Sequence, residues 1–408
     1  MSSLILSERN TNTQFNLNNR LSDSTDYFLV EISGKIQLTE TQRLKAEGHY
    51  GAIANVLRAS PENTLLNKLD IKMIPFGGFG SNTASKPFQG DEFDLDLIVR
   101  FFTTMKRFGS AENLYNEVWK TLHANEVYKN KIEKKDRCIR VYYAGDFYLD
   151  LMSAVLTSQF EESTKLIVPE KQKDGTYEIE LVDPIGLINW FDVRCGLQRH
   201  FVKNSLSERG EFEVMPLITQ DATKSILKQA VQLLKRGRDV YFCDDKDAKK
   251  ILKSVVILTV AGHVYTGSNN LHKLLSQIID KIDELTYNFS SMKLENPVNT
   301  NENFFESLSQ KRDRYDKLRG FIKEFKSALA NLTQSGADLN FRKKQLAKLF
   351  GETVATTVLS EYAEKMHNVN LDGKMRMNST GLVSASASAI ASSVSSQKIP
   401  RHQFFGDK

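Results

Sequence analysis

Apolar residues recur at helical spacing from Leu38 to Ala59 and stop at Ser60-Pro61, which predicts a long amphipathic helix that braces the segment after it. Ile71 to Phe76 predicts a short apolar strand running into a glycine-rich turn. The stretch FDLDLIVRFF then alternates as a second strand, with Phe93, Leu95, Leu97, Val99 and Phe101 on one face and Asp94 and Asp96 on the other. CIRVYYAGDFYLDLMSAV predicts a hairpin with Gly145-Asp146 at its tip. In its second arm Phe147, Leu149 and Leu151 leave Asp150 opposite, so a third carboxylate joins the pair if these strands are neighbours.

From about Asp183 the pattern turns helical. Between Ala222 and Arg238, Ile226, Leu227, Ala230, Leu233 and Leu234 form one apolar face, and Lys224, Lys228 and Lys235 form a basic stripe opposite it. The first two lysines are expected simply to solvate the helix. Ala248 to Tyr265 predicts a buried helix, in which His263 is expected to be a satisfied core histidine rather than a base. Phe304 to Lys365 is charged and amphipathic, with breaks near Ser335-Gly336 and Gly351. Beyond Leu371 a Ser/Ala-rich stretch is too poor in bulky residues to pack, and it closes with Phe404 and Phe405 after Pro400, two aromatic anchors suited to capture by a partner. The expected organisation is a core over 1–205 with its bracing helix, a helical domain over 206–370 and a flexible tail over 371–408.

A chain of 408 residues with 40% apolar content can fill two cores. Lys plus Arg exceed Asp plus Glu by 55 to 50, a net +5 that suits an anionic ligand without demanding a nucleic acid. The start lacks a basic stretch leading into an apolar run, and no segment approaches a membrane span, so the expectation is a cytoplasmic protein. Cys138, Cys195 and Cys243 lie far apart without CxxC spacing, which argues against a disulfide framework or zinc knuckle and for buried free thiols.

The chemistry concentrates in IPFGGFGSNTASKPFQGDEFDLDL. A P-loop needs a glycine directly before its lysine, but Lys86 follows Ser85, and no G-x-G-x-x-G opens a helix. What remains is a tight turn whose N–H groups and hydroxyls can hold a triphosphate, and beyond it carboxylates on a strand that can hold divalent metal. That constellation predicts nucleotidyl transfer with two bridging cations. The plain alternative is that Asp94 and Asp96 merely solvate an edge strand. No Ser-His-Asp or Cys-His arrangement can be read, and the proposed chemistry needs no covalent intermediate.

GGFGSNTASKPFQGDEFDLDL, FYLDL, DPIGLINWF, AVQLLKRGRDVYF and SVVILTVAGHVYTG together resemble the bacterial CD-NTases of CBASS antiphage systems, relatives of cyclic GMP-AMP synthase and DncV, over most of residues 40 to 365. The resemblance implies an α+β fold, a polymerase β-like nucleotidyltransferase core with a mainly α-helical second domain that completes the nucleotide pocket. It implies Asp94, Asp96 and Asp150 as metal ligands, Asp150 also helping to activate the acceptor hydroxyl, and Lys235 and Ser254 as contacts to the donor triphosphate. The family's Gly-Ser falls either on Gly80-Ser81 or on Gly77-Gly78. The second register puts Thr83 where many relatives have threonine and is preferred, with Ser81 supplying the hydroxyl that Gly78 lacks.

The expected activity is synthesis of a cyclic oligonucleotide second messenger from ATP, alone or with another NTP, using Mg²⁺ or Mn²⁺, in bacterial antiphage defence. A regulator encoded beside it, binding or conjugating the tail, and a downstream effector reached through the messenger are the implied partners. Template-independent addition of nucleotides to RNA ends, or a catalytically degenerate binding module, are the other readings that the residues leave open.

Overall fold

The computed structural model describes residues 24–59, 66, 69–143, 147–158, 163–196, 212–214, 225–245, 247–334 and 338–371, with the short pieces 376–377, 383–384 and 397–398. An eight-stranded mixed sheet carries the order β3-β4-β5-β2-β1-β8, with β6 paired to β5 and β7 to β6. The strands are β1 (Ile71–Pro75), β2 (Phe93–Phe101), β3 (Ile132–Lys134), β4 (Ile139–Tyr143), β5 (Phe147–Leu156), β6 (Leu166–Lys171), β7 (Tyr177–Val182) and β8 (Phe212–Val214). The FDLDL strand is therefore central, flanked by β1 on one side and β5 on the other. The edge-strand alternative for Asp94 and Asp96 does not apply.

Alternation in β2 divides the sheet into two faces. Helix α1 (Ser24–Lys35) packs elsewhere, and the next two helices cover the apolar face. Phe93, Leu95, Leu97, Val99 and Phe101 join Phe147, Leu149 and Leu151 beneath Tyr50, Ile53 and Leu57 of α2 (Glu40–Ala59) and Leu114, Val118 and Leu122 of α3 (Ala111–Ala124). The predicted bracing helix is thus α2, and it is fastened by Tyr50, whose hydroxyl donates to the Met73 carbonyl at 2.6 Å. On the other face, Ile98, Met152 and Ala154 pack on Ile185 of α4 (Pro184–Arg194), covering only the C-terminal half of β2. The N-terminal half of that face, with Asp94 and Asp96, is left for chemistry.

A second core is built by α5 (Ile226–Tyr241), α6 (Ser254–Val264), α7 (Leu271–Leu285), α8 (Arg312–Asn331), α9 (Leu339–Phe350) and α10 (Glu352–Leu371). Gly351, at φ +100°, makes the expected break between α9 and α10. Unread from the sequence, α1 packs here too, through Tyr27, Phe28, Leu29 and Ile32. Strands β6, β7 and β8 are likewise additions to what the pattern predicts.

Several expectations change. Lys228 does not solvate a stripe: it is buried and forms an ion pair with Asp192 at 2.9 Å, because the side of α5 away from the helical core is itself covered. Lys224 lies outside the described residues. His263 is exposed, beside the Trp190 ring at 5.0 Å between centroids, and is not a core histidine. The three cysteines are free, but each is half-buried rather than buried. Among the described residues of the tail, Arg376–Met377 pairs with Val383–Ser384 and with Gln397–Lys398; the hairpin tip, Phe404 and Phe405 lie outside the described residues. No described helix is long and apolar enough to cross a membrane.

Candidate active site

The site arises from strand register. Parallel pairing of β2 with β5 sets Asp96 beside Asp150 and Asp94 beside Tyr148, and antiparallel pairing of β5 with β4 sets Asp150 beside Arg140. Side chains in such rows share one face. Ligand atoms of Asp94, Asp96 and Asp150 come within 4.8 Å of one another.

Three carboxylates at this spacing repel, and burial removes the water that would screen them. Asp94 is pushed up to about 6, by desolvation first and by Asp150 second, against the pull of Arg140, Tyr148 and Lys235. As a whole residue Asp94 is exposed, but its carboxyl end is crowded by these neighbours. Asp96 is raised well above the ordinary carboxylate range by burial and by both other aspartates. An all-oxygen donor set strained in this way fits a hard divalent cation, which would relieve the repulsion that raises those pKa values.

The glycine turn sits over the carboxylates. Gly77–Gly80 forms one helical turn directly after β1, and the Phe76 N–H donates to the Asp96 carbonyl at 3.0 Å, which ties turn to strand. Gly77 takes φ +56°, and a side chain there would run into the Asp96 carboxylate. Ser81 is buried, and its hydroxyl donates to the Gly77 carbonyl at 2.7 Å while lying 2.8 Å from Thr83 Oγ1. Its hydroxyl therefore braces the turn from within.

Helix α5 closes the other side. Gln232 Nε2 donates to the Ala84 carbonyl at 2.6 Å, Lys235 Nζ to that of Thr83 at 3.1 Å, and Arg236 Nη2 to that of Lys86 at 2.6 Å. The Lys235 ammonium stands 3.3 Å from where a Cβ on Gly78 would lie, so it overhangs the turn. Burial first and Arg238 second lower its pKa to about 8, against the pull of Asp239, Asp96 and Asp94. Ser254, at the start of α6, accepts from Arg238 Nη1 at 3.1 Å, and Arg238 lies about one helical turn beyond Lys235. The structure thus gathers the aspartates, the turn and Lys235, with Ser254 reached through Arg238.

Sequence reading missed Arg140 and Tyr148. Arg140 forks onto Asp150, Nε to Oδ1 at 2.8 Å and Nη2 to Oδ2 at 2.6 Å, with its Cζ 3.8 Å from the Tyr148 ring centroid. The Tyr148 hydroxyl bonds Asp94. The available signal was the hairpin itself: once Tyr143 faces Phe147, Arg140 must face Asp150.

The sheet, the turn and the paired aspartates have the arrangement of a polymerase β-like nucleotidyltransferase fold. Residues 24–194 match the family of Second Messenger Oligonucleotide or Dinucleotide Synthetase domains. The chain is 28% identical to the c-di-GMP synthase of Roseivirga ehrenbergii over 72% of its own length and 76% of that protein's. The structure of the Bradyrhizobium diazoefficiens CD-NTase CdnG in complex with GTP superimposes with TM-score 0.64 at 20% identity, covering 84% of this chain and 100% of that one. The E. coli CdnC:HORMA-deltaN complex superimposes with TM-score 0.54 at 12% identity, covering 80% and 96%. Residues 24–194 thus match a second-messenger synthetase domain, and the chain is similar over most of its length to proteins named as cyclic dinucleotide synthases and to the fold of the bacterial CD-NTases.

Proposed function

We propose that this enzyme joins GTP into a guanine-containing cyclic dinucleotide, with ATP as a second substrate, in the cytoplasm of a bacterium defending against phage. Relatives named for c-di-GMP synthesis and for a GTP complex support GTP as a substrate beside the expected ATP. The observation that carries the reading is the meeting of Asp94, Asp96 and Asp150 within 4.8 Å beneath the Gly77–Gly80 turn.

In this reading Asp94, Asp96 and Asp150 would hold Mg²⁺, with Mn²⁺ as substitute, which would offset charge on the triphosphate and on the acceptor oxygen as it loses its proton. The backbone at Gly77 and Gly78 cradles the phosphates, held in shape by Ser81 and Thr83. Lys235 supplies a point charge to them and Ser254 a hydroxyl, so the helical domain completes the pocket. Asp150 accepts the proton of the attacking hydroxyl. The CdnC complex with HORMA-deltaN supports a regulator for this chain, and the composition of residues 371–408 supports that segment as its contact.

Incubation with radiolabelled GTP and ATP plus Mg²⁺, with and without a short RNA, then phosphatase treatment and mass determination, tests the assignment. A phosphatase-resistant cyclic product containing guanine is expected. Linear extension of added RNA would point to the terminal-transferase reading, and absence of any product to a degenerate module.

A further inference from the structure

We propose that Arg140 is a positioning residue that makes the Asp150 side of the site accept a divalent cation only together with nucleotide phosphates. The inference rests on reading the aspartates as the metal site.

Strand pairing lays Arg140, Asp150 and Asp96 in one row across the sheet, and Tyr142, Tyr148 and Asp94 in the next. Arg140 uses its fork on both oxygens of Asp150, at 2.8 and 2.6 Å. A bidentate pair of this kind fixes the plane of the carboxylate as well as its charge. The guanidinium also lies over Tyr148, 3.8 Å from the ring centroid, and Tyr148 is itself held through its hydroxyl by Asp94. Leaving Asp150 would cost Arg140 the fork and the ring contact together.

Among the described residues, Asp94 and Asp96 have no such ion pair; their cationic neighbours Arg140 and Lys235 act on them at longer range. The three acids are therefore not equivalent. Asp94 and Asp96 present the more electronegative end, ready for a cation on their own. Asp150 spends a lone pair of each oxygen on the fork and accepts from the Cys138 thiol as well, with a fixed positive charge at hydrogen-bond distance behind it. A cation bridging to Asp150 meets repulsion that substrate phosphates can offset and that the protein alone does not.

This asymmetry sets the order of uptake. Asp94 and Asp96 engage the first cation without nucleotide, and Asp150 joins once phosphates are in place, its carboxylate plane already fixed by the Arg140 fork. Arg140 thus keeps the proton-accepting acid from being fully charged by metal before there is a substrate to act on.

The test counts Mn²⁺ bound by the full chain, from the electron paramagnetic resonance signal of free ion and from calorimetry. Without nucleotide, wild type should take up one Mn²⁺ per chain, and a second on addition of a non-hydrolysable GTP analogue. Arg140→Gln should take up two without nucleotide, and in the presence of the analogue should bind the second about tenfold more tightly than wild type does. Arg140→Lys keeps the charge and loses the fork, so it should bind one, with kcat reduced and KM for nucleotide unchanged. Arg140→Met, which retains an apolar contact with the Tyr148 ring, replaces Arg140→Gln if the latter does not fold. Equal counts and affinities in wild type and the uncharged variant would overturn the inference. Failure of wild type to bind any Mn²⁺, with or without analogue, would instead overturn the metal-site reading on which it rests.

Discussion

The backbone of Gly77 lies against the Asp96 carboxylate so closely that a Cβ would collide with Oδ2 and come within 3.1 Å of Cγ. Gly77 also has φ +56°, where an L side chain costs about 1–2 kcal/mol. Gly77→Ala should therefore abolish turnover by displacing Asp96, while lowering the melting temperature only a few degrees. Gly78 is different: its φ is ordinary, and the nearest atom to an added Cβ is the mobile end of Lys235 at 3.3 Å. Gly78→Ser should fold normally and retain or lower the KM for nucleotide. Equal kinetic damage from both substitutions would refute this division of labour.

Replacing Asp94 and Asp96 together by Asn should eliminate product. Without metal the double variant should be at least as stable as wild type at about pH 7, since it removes mutual repulsion. An acid whose pKa rises on folding, as that of Asp94 does from 3.8 to about 6, opposes folding at neutral pH and ceases to do so as the pH falls toward 3.8. Thermal melts from neutral pH down to that value should show the advantage shrinking as the pH drops. A double variant less stable than wild type throughout would count against the electrostatic account.

Lys235 should impose a limit on the alkaline side. Burial and Arg238 bring it to about 8, so its charge is present at about pH 7 and largely gone by about pH 9. The KM for nucleotide should rise by about tenfold over that interval, with little change in kcat, and Lys235→Arg should remove the inflection. A KM profile unchanged by Lys235→Arg would show that another group titrates.

Lys228 and Asp192 form an ion pair with 2% and 1% of their side chains exposed. Lys228→Ala takes the ammonium away from a buried carboxylate, and should cost about 3–5 kcal/mol in chemical denaturation. Lys228→Met with Asp192→Asn should recover much of that. If the single variant is as stable as wild type, the pair contributes nothing net.

The features legible beforehand divide from the rest along physical lines. The period of two in the sequences of β2 and of the start of β5 separates apolar from acidic positions, so Asp94, Asp96 and Asp150 stand out without any tertiary information. Arg140 does not, because its importance comes from lying across from Asp150, and pairing register is a relation between segments. Lys228 defies its pattern for a related reason. Polar positions opposite an apolar helical face normally meet water, but α5 is sandwiched, and that side meets Asp192 near its start and the carbonyls of residues 83–86 further along. Helix α1 escapes notice because its value lies in packing against α5, α7 and α10, far along the chain. The glycine turn is visible as composition, yet the inward hydrogen bond of Ser81 is a matter of rotamer and not of sequence spacing.

The placement of Asp96 opposite Asp150 in parallel register has an implication for any preparation of this enzyme. Sliding β2 by one residue against β5 would send both β2 acids into the layer occupied by Leu95 and Leu97 and bring those leucines out, which no stable core tolerates. Molecules that have found their core have therefore also brought Asp94, Asp96 and Asp150 together. An active-site count should equal the concentration of folded chain, and lost specific activity in a stored sample should track unfolding or aggregation rather than a well-folded but silent population.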